Sequence, residues 1–212
     1  MGRGKSPAQV LFDATVKQAV APVWKALRFR KSGTNFHRRH GDVVQVVNLQ
    51  SSHGSEASEK RFYVNVGLAF DAVCELTGLE ILEKPKEYEC SDRGNRWRLE
   101  NLIDDVPDRW SLRVDGDDTE AVAAALGDAM QRLATELDRI DSVQAYRDHR
   151  WFRDPDADQL SVQVLYLLGD FDGARQGLRG LCERFADRES LSRPEWWIES
   201  LGLKDLSPED LA

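Results

Sequence analysis

Two strand-like stretches decide the fold: VVQVVNLQ at residues 43–50, which is rich in β-branched residues, and RFYVNVGLAF at residues 61–70. A strand-like segment at residues 35–38 and the turn signal HGD at residues 40–42 precede them. The second stretch alternates as a half-buried strand does, with its apolar face formed by Phe62, Val64, Val66 and Leu68. Three successive strands with no helix between them predict an antiparallel meander.

Helical patterns flank these strands. Ser6 and Pro7 mark the start of an amphipathic helix, which Pro22 should kink or restart because proline has no backbone donor. Residues 117–120 cap a long helix whose apolar positions continue to Ile140. Further short strands are predicted at residues 87–90, 96–99 and 110–114. The pattern predicts an α+β fold, with an antiparallel sheet packed against the N-terminal helix and the long helix.

After residue 141 only helical patterns remain. The segment at about residues 157–187 resembles one tetratricopeptide-type helix pair, with the turn phrase LGDFDGA at residues 168–174. A solenoid needs about three such repeats and one copy is visible, so we favour a single helical hairpin packed on the sheet. We therefore predict an α+β domain over residues 6–141 and a helical C-terminal extension over residues 142–212.

The charge of the chain is unevenly distributed. Its 212 residues carry a net charge of -8, yet residues 1–40 contain nine Lys and Arg against one Asp. The rest of the chain holds the other 20 basic and 36 acidic residues, so a basic head precedes an acidic body. With 41% hydrophobic residues, the chain can bury a sizeable core, which argues against a disordered protein.

The sequence also predicts a compartment. It has no run of 18 apolar residues, which excludes a transmembrane helix, and no apolar segment of the secretory type follows Arg3 and Lys5. Cys74, Cys90 and Cys182 are far apart and odd in number, which disfavours a disulfide framework. We therefore predict a cytoplasmic protein with no membrane partner.

Three phrases resemble a known family: WKALRFRKSGTNFHR at residues 24–38, GDVVQVVNLQ at residues 41–50 and FYVNVG at residues 62–67. They are similar to the bacterial family called domain of unknown function number 4304, over about residues 8–140. Arg28 stands where that family usually has Gly. The resemblance implies an α+β fold and implies no activity.

The sequence carries only weak signals for a catalytic or metal-binding site. There is no Gly-x-Ser-x-Gly, His-Glu-x-x-His, Walker loop or Gly-x-Gly-x-x-Gly motif. His37 and His40 are three residues apart, and such positions on a strand face opposite sides. Asp154 begins a calcium-like phrase, but Gln159 occupies the position that needs Gly. We predict no catalytic residue, no metal and no cofactor.

Asn48 and Asn65 are amides in otherwise apolar strands. A buried amide costs free energy unless it is paired, so each should bond to the other, to backbone or to a ligand. A structural role is the favoured interpretation, and a ligand-binding face is the alternative.

The basic segment at residues 25–40 is the main candidate contact surface, and its candidate binding residues are Arg28, Arg30, Lys31, His37, Arg38, Arg39 and His40. Clustered cations interleaved with Phe29 and Phe36 are typical of nucleic-acid binding. The sequence pI of 5.1 and the acidic body argue against a dedicated nucleic-acid binder. An acidic protein surface, in a partner or in this chain itself, suits the segment as well, and a merely solvated face is the remaining interpretation.

Three hypotheses about function follow. The first is a non-enzymatic protein-interaction module, accessory or immunity-like, that contacts a protein partner or self-associates through the basic segment. The second is a nucleic-acid-binding protein that uses the same segment. The third is an enzyme of unknown reaction with a site near the central strands, at Asn48, Asn65 and His37.

Overall fold

The computed structural model describes residues 4–91, 94–188 and 191–211. Within these ranges, six strands form one antiparallel sheet. They are β1 (Arg30–Ser32), β2 (Asn35–His40), β3 (Val43–Ser51), β4 (Glu59–Phe70), β5 (Gly94–Arg98) and β6 (Trp110–Arg113). The order is β1-β2-β3-β4-β5, and β6 pairs with the N-terminal half of β4. The predicted meander is thus confirmed as β2, β3 and β4.

The tight turn between β2 and β3 depends on Gly41. This residue has φ +57, and a Cβ there would lie 2.2 Å from the carbonyl oxygen of Asp141. Only glycine tolerates both the left-handed backbone and that approach. The turn therefore packs directly against Asp141, which follows the long helix Thr119–Leu137. Asp42 N donates a hydrogen bond to the same Asp141 carbonyl at 2.9 Å.

The strand predicted at residues 87–90 is wrong. Glu87–Ser91 forms a 3₁₀ helix that lies across β4 on the side of Gly67. A Cβ at Gly67 would come within 2.7 Å of Cys90 Sγ, so glycine is what allows the 3₁₀ helix to pack this closely. The 3₁₀ conformation is favoured by the burial of Cys90 against the sheet. The four residues EYEC are too few to show a periodicity from which this conformation could be predicted.

The α-helices are α1 (Pro7–Thr15), α2 (Ala21–Ala26), α3 (Asp71–Thr77), α4 (Thr119–Leu137), α5 (Val143–Arg147), α6 (Gln159–Leu167), α7 (Phe171–Arg184) and α8 (Pro194–Leu201). The Ser6 side chain caps α1 by accepting from Gln9 N at 3.2 Å. A π-helical turn, Val16–Val20, separates α1 from α2. It lies just before Pro22 in the first turn of α2, so the interruption expected at this proline is present.

One face of the sheet forms the main core. The alternating residues of β4 are almost fully buried there, and Trp24 of α2 and Leu133 of α4 pack into the same cluster. This arrangement is the predicted α+β fold, with the sheet against the N-terminal helix and the long helix.

The helices after residue 141 contribute to two clusters. Tyr146 and Leu160 belong to the main core, whereas Leu178 and Trp197 belong to a second cluster built from α6, α7 and α8. α6 and α7 form the expected helical hairpin, although its likeness to a tetratricopeptide unit and the division of the chain at residue 141 remain predictions. In the ranges that the structure covers, no helix is both long enough and apolar enough to cross a membrane.

Candidate functional site: an arginine pocket at the edge of the sheet

The site begins at the C-terminus of α2, which ends in a Schellman motif. Arg28 N donates to the carbonyl of Lys25 at 3.0 Å, and Phe29 N donates to that of Trp24 at 2.9 Å. The rings of Trp24 and Phe29 are 4.9 Å apart, which supplies the apolar contact typical of this motif. Arg28 occupies its left-handed position with φ +63. The backbone therefore turns sharply here and carries the chain directly into β1.

The turn brings basic side chains from three segments into one pocket of about 350 Å³. We call it the arginine pocket, and it is lined by Arg28, Arg30, His37, Arg38, Arg39, Glu83 and Lys84. Arg28 precedes β1 and Arg30 begins it, and the three residues from His37 to Arg39 lie on β2. Glu83 and Lys84 belong to the link between α3 and β5. The pocket therefore forms where the short edge strand β1 leaves part of β2 uncovered.

Two of the arginines are compensated by carboxylates. Arg39 pairs with Asp71, and Arg38 Nη1 lies 3.0 Å from Asp138 Oδ1. In the part of the chain that the structure describes, Arg28 and Arg30 form no ion pair within 4.0 Å, and neither does Lys84. Like charges repel when they are held together without counter-charges. The pocket is thus electrostatically suited to an anion.

Arg38 also ties the pocket to the core. It is 9% exposed, its Nε donates to Gln45 Oε1 at 2.9 Å, and its Nη1 donates to the Leu27 carbonyl at 3.2 Å. Gln45 Nε2 in turn donates to the Leu137 and Ile140 carbonyls, each at 2.7 Å. One buried amide therefore joins the pocket to the C-terminus of α4, and it holds Arg38 in a single position.

His37 is the other buried polar group in the lining. It is 7% exposed, and its Nε2 has no hydrogen-bond partner within residues 4–91, 94–188 and 191–211. Burial lowers the pKa of His37 below its usual value, and the charges of Arg30 and Lys84 lower it further. The lowered pKa favours the neutral form of the ring at pH 7, and a neutral imidazole has one N–H donor and one acceptor nitrogen.

Four predicted site residues lie outside the pocket. The Lys31 ammonium lies 5.9 Å from the centre of the Phe36 ring, and His40 Nε2 is 3.1 Å from the Asp138 carbonyl oxygen. Asn48 Nδ2 donates to Asn35 Oδ1 at 2.7 Å, and Asn65 Nδ2 donates to Asn48 Oδ1 at 3.3 Å. The two amides are thus bonded to each other, whereas Asn65 Oδ1 is buried with no partner among the described residues.

Sequence reasoning missed Gln45, Glu83 and Lys84. Gln45 offered the same signal as Asn48, an amide in an apolar strand, whereas the link between α3 and β5 has no local pattern that places it near β2. Within the described ranges no group of three or more His, Cys, Asp or Glu side chains is placed to hold a metal ion. What the pocket offers is positive charge and hydrogen-bond donors, which can bind and orient an anion.

Replacing Arg28 by glycine is expected to stabilise the fold while weakening anion binding. A non-glycine residue at φ +63 is strained, and relieving the strain should raise the free energy of unfolding by about 0.5–1 kcal/mol. Urea unfolding checks this gain, and the affinity for sulfate checks the loss. Gly33, at φ +61 in the next turn, gives the reverse control, because Gly33→Ala should destabilise by a similar amount without affecting sulfate. An Arg28→Gly protein that is less stable than the parent would contradict the argument.

Of three comparisons with known proteins, one finds a match. No curated protein and no solved structure matches the chain. A family model matches residues 20–153, a range that contains the sheet, α4 and the whole arginine pocket. Because the matched range is more than half of the sequence, the chain belongs to the family described as Domain of unknown function (DUF4304).

Proposed function

We propose that this protein is a non-enzymatic cytoplasmic interaction module, accessory or immunity-like, that binds an acidic group of a partner protein in the arginine pocket. The observation that carries the proposal is the convergence of Arg28, Arg30 and Lys84 without acidic partners in the described residues. A partner carboxylate or other anion would supply the missing counter-charge. A second copy of this chain is one such partner, because its body is strongly acidic.

The charge distribution supports selective binding. The body repels other acidic molecules at long range, whereas the pocket attracts them at one place. Encounter is therefore favoured in the orientation that presents the partner's anion to the pocket. A partner with one exposed acidic segment would be accepted, and a uniformly acidic surface would meet repulsion around the pocket.

Nucleic acid is the second candidate, favoured by the cluster of cations itself. Single-stranded nucleic acid is bound by basic grooves with exposed aromatic side chains on which bases stack. The two aromatic residues of the basic segment are not available for stacking, since Phe29 is 7% exposed and Phe36 is 1% exposed. The protein partner is therefore the better-supported proposal, and the binding experiment below separates the two.

The test uses charge-reversal pairs that change the net charge equally. Arg28→Glu/Arg30→Glu alters the pocket, whereas Lys25→Glu/Lys31→Glu alters exposed residues of the same segment outside it. Fluorescence anisotropy of a labelled oligoglutamate peptide should show an affinity loss of about tenfold or more for the first pair, equivalent to about 1.4 kcal/mol or more. The second pair should stay within about threefold of the parent.

Two outcomes would contradict the proposal. Equal losses for both pairs would mean that general charge, and not the pocket, attracts the peptide. Tighter binding of a labelled single-stranded DNA of equal length, lost in the same pocket variant, would favour the nucleic-acid function. Sedimentation velocity on the parent and on Arg28→Glu/Arg30→Glu shows whether a second copy is the partner, because only the parent would then associate.

A further inference from the structure

The charge in the arginine pocket indicates what kind of anion it fits. Arg38 and Arg39 are neutralised by Asp138 and Asp71, which leaves three cations without ion pairs and one carboxylate in the lining. The cations are Arg28, Arg30 and Lys84, and the carboxylate is that of Glu83. With His37 neutral, the uncompensated charge is +2. A single carboxylate would neutralise half of it, whereas a phosphate monoester, which is close to a dianion at pH 7, would neutralise nearly all of it.

The hydrogen-bond donors of the arginine pocket also favour a phosphate over a carboxylate. Arg28 and Arg30 each present a planar guanidinium, which can bind a phosphate through two parallel hydrogen bonds. Two lining residues that are more than nine-tenths buried also hold nitrogen atoms without a partner in the described structure, His37 Nε2 and Arg38 Nη2. Of these two atoms, Arg38 Nη2 is always a donor; a buried donor that is left unpaired costs free energy, and an oxygen-rich ligand that reaches it would relieve that cost. A phosphate monoester has three terminal oxygens that accept such bonds, and a carboxylate has two.

We infer that the arginine pocket recognises a phosphate monoester dianion, carried on a phosphorylated serine or threonine side chain of the partner. This inference rests on the proposed function, since it names the anionic group that the partner presents. The pocket's volume lies at the lower end of the range of about 300–1,000 Å³ that is typical of small-ligand sites, which suits one group and its side chain.

The edge of the sheet favours a peptide as the carrier. β1 lies at the end of the strand order, all three of its residues are exposed, and it starts at Arg30 in the pocket. An exposed edge strand offers unpaired backbone groups to an extended peptide. A phosphorylated side chain in the pocket would thus place its flanking backbone beside β1.

The experiment compares three labelled peptides that share one flexible Gly-Ser flank and differ at a central phosphoserine, glutamate or serine. Binding is measured by anisotropy for the parent, for Arg30→Ala/Lys84→Ala and for the control Lys17→Ala/Lys25→Ala, whose two lysines are exposed and lie outside both the pocket and β1. We expect the phosphoserine peptide to bind at least about tenfold more tightly than the glutamate peptide, since it supplies additional charge-assisted hydrogen bonds. The pocket variant should lose this preference and the control should keep it. Inorganic phosphate and acetate, added as competitors, report on the anion without a peptide.

Each outcome decides a different point. Equal affinities for the phosphoserine and glutamate peptides in the parent would overturn the phosphate inference and leave the proposed acidic partner standing. A second outcome is that inorganic phosphate competes and the phosphoserine peptide binds no more tightly than phosphate itself. This result would overturn the peptide as the carrier of the phosphate, and with it the protein-partner function. Equal behaviour of the two double variants would overturn the pocket as the site, and matching thermal midpoints of all three proteins show that the comparison concerns binding.

Discussion

Replacing Gln45 by leucine is expected to lower the free energy of unfolding by about 3–5 kcal/mol. Gln45 is fully buried, and its amide serves three partners at once: the Leu137 and Ile140 carbonyls and Arg38 Nε. Leucine has a similar volume, so the loss would come from buried polar groups that no longer have a partner. The last turn of α4 and the arginine pocket would be weakened together.

Urea unfolding followed by circular dichroism measures this loss. The matched control is Gln131→Leu, since Gln131 is exposed on α4 and should change stability by no more than about 0.5 kcal/mol. In a Gln45→Leu protein that remains folded, affinity for the phosphoserine peptide should also fall, because Arg38 is no longer held by the amide. A Gln45→Leu protein as stable as the control would show that these hydrogen bonds do not support the fold.

The second large effect is expected for Tyr146→Ala, which should cost about 3–5 kcal/mol of stability. Tyr146 is fully buried after the predicted boundary at residue 141, and its ring lies 5.3 Å from Phe70 and 6.3 Å from Trp97. Its hydroxyl donates to the Trp151 carbonyl at 3.3 Å. Alanine would leave a cavity between the sheet and α5, and the surrounding core can collapse into it only in part.

The control for this change is Tyr88→Ala, because Tyr88 is 52% exposed and its ring fills no cavity. Thermal unfolding should show one shifted transition for Tyr146→Ala if residues 142–212 unfold together with the sheet. Two separate transitions would instead indicate that the C-terminal extension unfolds by itself. A loss no larger than that of Tyr88→Ala would mean that Tyr146 is not part of the shared core.

The strands were the easiest part of the fold to predict. β3 is rich in β-branched residues and β4 has apolar residues at every second position from Phe62 to Leu68, and both features are local to the strand itself. The start of α1 was also predictable, because a serine cap followed by proline acts within a single turn. In contrast, Glu87–Ser91 took its conformation from packing on Gly67, a residue far away in the chain.

The candidate site was predicted only in part. The sequence indicated Arg28, Arg30 and the cations of β2 as one basic segment, but alternation along the strand sends neighbouring side chains to opposite faces. His37, Arg38 and Arg39 nevertheless all line the pocket, because the short strand β1 leaves this part of β2 open at the edge of the sheet. His40 lies outside the pocket and contacts the end of α4.

By itself, then, the sequence determined the three strands of the meander, the start of α1 and the place where positive charge is concentrated, because these depend on neighbouring residues and on the period of the backbone. The tertiary structure alone decided which charges lack a partner. Asp71 and Asp138 come to Arg39 and Arg38 from distant elements, and Lys84 comes to Arg30 across the sheet edge. Such pairings depend on the register of the strands and on the packing of the whole core, so no local pattern reports them.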